Sequence, residues 1–162
     1  MNRELKVVVA RGFGAGAIAG MAMGVFEMIV GLFQGMSFFA PLDVIGHIVN
    51  QGVSLMHNSS TLIIEGLAIH MVMSMMIGAA LALILGVLKS HESKSMTQLS
   101  LSVLIALAIG ILNEFVIWAS IDKAATSMLR PAAFLLGHVV FGVIVGTVIV
   151  RSSVKQQKLV SA

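Results

Sequence analysis

The sequence predicts an all-α, integral membrane four-helix bundle with an added outer amphipathic helix. Three observations predict it. Of 162 residues, 58% are hydrophobic and only 10% charged, with a mean hydropathy of +1.03, whereas a soluble domain carries about 25% charged residues. Four apolar runs, 12–33, 62–88, 99–121 and 131–150, each match the ~20 residues that cross a bilayer. None alternates as a barrel strand does, and an open sheet would leave backbone N–H and C=O groups unpaired in hydrocarbon. A chain with so few charges cannot cover a soluble globule, which excludes a soluble enzyme, a disordered tail and a nucleic-acid module. Ten Lys+Arg against seven Asp+Glu is too thin a surplus to track phosphates. Without Cys, disulfides and thiolate metal sites are excluded.

The first run follows Arg3, Lys6 and Arg11. It extends well past the ~7–15 residue apolar core of a signal peptide and lacks a small-x-small cleavage site, so it reads as a retained helix. Gly12, Gly16, Gly20 and Gly24 form one bare strip along it. Small residues let helices approach closely in lipid, so the strip predicts tight packing within the chain, or a contact between subunits. The segment 41–56 carries a helical stripe at Ile45, Ile48, Val49, Gly52 and Met56, with Pro41 in its first turn. It is expected along the outer membrane surface or over the bundle. Phe33, Phe38 and Phe39 suit an interface belt, and 57–61 reads as a polar turn. Gly78, Ala82 and Gly86 make a small-residue strip on the second span, and Gly142 and Gly146 on the fourth. Trp118, near the end of the third, reads as an interface anchor.

Orientation follows the cations. Arg3, Lys6, Arg11, Lys89, Lys94, Arg151, Lys155 and Lys158 share one side, against Lys123 and Arg130 on the other. The positive-inside rule then places both termini in the cytoplasm and the chain in the cell membrane as one multi-pass domain.

The ionisable residues inside the spans carry the functional signal. Their order is Glu27, His70, Glu114, His138, an acid then an imidazole in each half, which suggests a 2+2 repeat about an axis along the membrane normal. At ~1.5 Å rise per residue, all four fall roughly 9–12 Å below the outer ends of their spans. Asn113 and Ser74 lie near that level, Glu65 lies closer to the surface, and His47 can fold over the layer. Charges at such depth are costly facing lipid and belong in the bundle interior.

Three readings follow. Two Glu–His hydrogen bonds can glue the helices together. Alternatively Glu27, His47, His70, Glu114 and His138 hold a transition metal such as Cu or Zn, with Met71, Met75, Met73 and Met76 as thioether donors to Cu(I). Or His70 and His138 clamp a haem b, with Gly78 and Gly142 leaving room. Stretches 79–87, 101–111 and 139–150 are apolar, so no polar path runs on toward the cytoplasm. No H-E-x-x-H, phosphate-binding glycine loop or Ser/His/Asp set is present. The expected function is a non-catalytic accessory or structural subunit of a larger membrane complex, of the respiratory oxidoreductase or copper-type monooxygenase kind. The alternative is a metal- or haem-binding membrane protein. The expected partners are the lipid bilayer and other membrane subunits, with no nucleic acid.

The pattern P-L-x-x-I-x-H (Pro41–His47), G-L-x-x-H-M-V-x-S-x-x-x-G (Gly66–Gly78) and G-H-x-x-F-G-x-x-x-G (Gly137–Gly146) resembles a group of small, uncharacterised prokaryotic four-helix membrane proteins. The resemblance implies the topology and no activity.

Overall fold

The structure, a computed structural model, describes residues 3–53, 59–88, 95–123 and 130–160, with side chains described over 5–53, 59–88, 95–123 and 130–152. Met56, His57, Lys89, His91 and Lys94 lie outside the described residues, as do the side chains of Arg3, Lys155 and Lys158. The described residues form five helices: α1 (Arg3–Phe33), α2 (Ala40–Val49), α3 (Ser60–Val87), α4 (Ser95–Ile121) and α5 (Pro131–Val160). No strand occurs among the described residues. α1, α3, α4 and α5 are long and apolar enough to cross a membrane, as a multi-pass membrane protein requires. α1 starts well before residue 12, because a helix is not obliged to stop where its apolar run does.

Gly35 closes α1. Its φ of 79° lets the Met36 N–H reach the Gly31 carbonyl and the Gly35 N–H reach that of Leu32, both at 3.0 Å. This satisfies the last carbonyls of the helix in a Schellman turn. Pro41 sits in the first turn of α2, where its missing N–H costs nothing. α3 is capped by Ser59, whose hydroxyl accepts from the Leu62 N–H.

α2 is shorter than the stripe over 41–56 predicts, and it lies over the bundle. Leu42, Val44, Ile45 and Ile48 are buried, while Val49 and Gly52 are exposed. The seat is set by two glycines: a Cβ on Gly46 would strike the Leu62 carbonyl, and one on Gly66 the Leu42 carbonyl. Backbone therefore meets backbone across the α2/α3 crossing.

α1 runs antiparallel to α3. A Cβ on Gly12 would fall 2.6 Å from Ala79 Cα, one on Gly16 against the Ser74 carbonyl, and one on Gly20 2.5 Å from Ser74 Oγ. The strip is thus filled by this chain's own α3. Gly78 joins that seam, whereas Gly86 meets nothing within 4 Å. α5 packs likewise on α4: Gly142 and Gly146 lie against Val103, Ala106 and Ser102, and Ser102 Oγ donates to the Gly142 carbonyl at 2.9 Å. The opposite face of α1, Ile18, Met21, Val25 and Ile29, is apolar and exposed, as a face toward lipid should be.

The hairpins α1/α3 and α4/α5 join mainly through α1 and α5, while α3 and α4 meet sparsely. A two-fold axis relating the halves would map the α1/α5 seam onto α4/α3. The seams between the hairpins therefore do not follow the two-fold relation that the 2+2 repeat implies.

Candidate functional site

Each imidazole owes its position to glycines on a neighbouring helix. His70, on α3, lies over Gly24, where a Cβ would sit 3.3 Å from its Nε2. That Nε2 donates to the Gly20 carbonyl at 2.8 Å. His138, on α5, lies over Gly110, where a Cβ would sit 2.6 Å from the ring. Its Nδ1 donates to the Phe134 carbonyl at 3.1 Å. A carbonyl has no proton to give, so each ring must be the donor, and in the neutral ring the other nitrogen keeps its lone pair. The Glu–His hydrogen bonds expected from the sequence are therefore not what holds these rings.

α4 changes its winding at this level. Asn113–Trp118 form a π-helical turn, in which i→i+5 bonding brings residues five apart toward one face. Asn113 and Trp118 both turn inward as a result. Trp118 is half-buried against Phe134 at a ring separation of 5.0 Å, and Phe134 covers His138 at 4.5 Å. Trp118 thus packs against the core, because the widened turn rotates it inward.

His70 and His138 line one cavity of about 40 Å³, together with Met23, Met73, Asn113 and Trp118. At ~10–15 Å³ per water, this is room for about three or four waters; a porphyrin would require the bundle to open. Met73 reaches the cavity, while Met71 and Met75 do not line it and Met76 is exposed. Met23 was not singled out from the sequence, although it lies three residues after Gly20 and four before Glu27, on the face of α1 that both mark.

The two acids pack beside this cavity without lining it. Glu27 is 7% exposed and Glu114 5%, and they lie close enough for their charges to interact. Glu27 Oε1 abuts Gly137, the residue before His138. His47 and Glu65 are engaged elsewhere. His47 pairs with Asp122 at 2.7 Å, and Glu65 accepts from Asn50 Nδ2 at 3.1 and 3.2 Å. Among the described residues no three His, Asp or Glu gather in a metal-holding group.

No family model, no curated protein and no solved structure matches the chain. What the site does must be argued from its chemistry.

α2 closes the site at the end of the bundle opposite the termini. Ile45 lines the cavity, and Val44 and Ile48 pack with Trp118. Burial pushes the Asp43 carboxyl on α2 above the usual carboxylate range, a shift opposed by the Ser59 backbone N–H bonded to it.

Proposed function

We propose that this membrane protein binds a soft transition-metal ion, copper(I), in the cavity between His70 and His138. One observation carries the reading: two imidazoles, each tethered by one nitrogen to a backbone carbonyl, share a cavity with the thioethers of Met23 and Met73. A ring held through one nitrogen offers the other in a fixed orientation, as metal-bound histidines do. Thioethers select Cu(I) over harder ions, and imidazole accepts it too. The acids take no part in this donor set, which departs from the five-residue Glu/His layer expected from the sequence.

The test is Cu(I) binding by detergent-purified protein under reductant, in competition with a chromophoric Cu(I) chelator. One ion per chain is expected, with quenching of Trp118, which lines the cavity and is the chain's single tryptophan. His70→Ala and His138→Ala should each weaken binding at least about tenfold, the lower end of what loss of a ligand's support costs. A chain that takes no Cu(I), or takes Zn(II) more tightly, overturns the reading.

A second reading is that the chain serves as an accessory subunit of a larger membrane complex. The sparse α3/α4 seam supports it, since it leaves those spans short of neighbours on one side. Isolation of the native particle in mild detergent separates the two: a stoichiometric assembly favours the subunit, a lone copper-bearing protein the first reading. In either case the cation distribution supports an orientation with both termini in the cytoplasm, which a reporter fused to the C-terminus tests.

A further inference from the structure

Glu27 and Glu114 remain unexplained by the copper cavity. Both are more than nine-tenths buried, and Glu27 Oε1 and Glu114 Oε2 have no hydrogen-bond partner. An unpaired carboxylate at this depth is expensive, and the charge of Glu114 reaches Glu27 and adds to the cost. Some positive species must visit them.

A second cavity, of about 20 Å³, shows what that species is. It is lined by Glu27, Met36, Pro41, Arg130, Ala133 and Phe134, and so extends from a buried acid to an exposed arginine at the start of α5. Its size admits one water, by the ~10–15 Å³ that a water needs, and not a hydrated metal ion. The guanidinium along it repels any cation that would travel whole. A proton relayed through that water to the carboxylate meets neither restriction.

We infer that Glu27 and Glu114 form a proton-exchange site, reached past Arg130 from the end of the bundle that carries α2. The cavity water gives a proton to the Glu27 carboxylate as it takes one from the water outside, and the charge of the two acids drops by one unit; release is the reverse. The other titratable groups on the packed elements leave the pair to itself. His70 on α3 and His138 on α5 donate to carbonyls, and Asp43 on α2 is an acid bonded by Ser59. Beyond the layer the spans are apolar, so the proton returns by the way it came.

Infrared difference spectroscopy of the reconstituted full chain tests this. A carboxylic C=O band that titrates with pH and shifts promptly in D₂O is expected. Glu27→Gln and Glu114→Gln should each remove it or displace its midpoint, with helix content unchanged by circular dichroism. Arg130→Ala should alter the rate of deuterium exchange and leave the band in place. Three results would overturn the proposal: no carboxylic band at any pH, a band abolished by Na⁺ or Zn²⁺ at fixed pH, or a band that stays unexchanged for hours in D₂O.

Discussion

His47 Nδ1 on α2 lies 2.7 Å from Asp122 Oδ2, just past the end of α4. Gln51 Nε2 donates to the Ile121 carbonyl beside it. These bonds fasten α2 over the cavity to which Ile45 belongs. His47→Leu removes the closer one, and a hydrogen bond to a charged group contributes about 1.5–3 kcal/mol. A lower thermal midpoint in detergent is expected, with faster labelling of a cysteine placed at Ile45. Unchanged labelling would show that the Gly46/Gly66 crossing holds α2 alone.

Asp43 gives a pH dependence with a definite sign. Its folded-state carboxyl titrates above the usual range, so between the ordinary value and the raised one the folded chain binds more protons than the unfolded chain. Stability is then greatest below the ordinary carboxylate range and falls as pH rises through the raised value. Asp43→Asn should flatten this part of a midpoint-against-pH curve and raise the midpoint at neutral pH.

The α1/α3 seam predicts opposite outcomes for glycines on the same helices. A Cβ at Gly78 would fall 2.5 Å from the Gly12 carbonyl oxygen, and one at Gly16 meets the Ser74 carbonyl. Overpacking of this kind costs roughly 1–3 kcal/mol. Gly14 and Gly86 have nothing within 4 Å, so alanine there should stabilise by up to about 1 kcal/mol through helix propensity. Thermal midpoints of the four single variants check the contrast.

Across the α4/α5 seam, Ser102→Ala removes the buried bond to the Gly142 carbonyl. Interhelical hydrogen bonds in membranes average about 0.6 kcal/mol, so a small loss of stability is expected, well below that of Gly142→Ala. Equal losses would mean that the bond, and not the close approach, sets the seam.

The π-helical turn invites a deletion. Removing exposed Phe115 should return this turn to α winding and leave Trp118 on the face of Asn113, because four steps of an α-helix sweep about the same angle as five of the wider turn. Unchanged Trp118 emission is the expected readout, and a red shift would show that the rest of α4 had rotated.

The sequence made the spans legible through length and apolarity, and the depth of Glu27, His70, Glu114 and His138 through simple rise per residue. The orientation of side chains was much less legible. In lipid both the packed and the exposed faces of a helix are apolar, so hydrophobic periodicity does not say which way it faces. On α1 only the glycines said so, and they located His70 as well, since Gly20 and Gly24 leave the space it fills. The π turn has no local signature in N-E-F-V-I-W, and without it Trp118 reads as a border residue. The His47–Asp122 pair spans 75 positions, a separation at which composition and spacing carry no information.

The unequal seams bear on assembly. Each hairpin is closed by its own glycine contacts, and the two are joined chiefly where α1 meets α5. A chain severed between α3 and α4 would leave two fragments that each insert as a finished pair, with one wide surface on which to find each other. Co-expression of the separate halves should therefore restore the whole, and the order of events during synthesis follows from this: each hairpin first, their docking last.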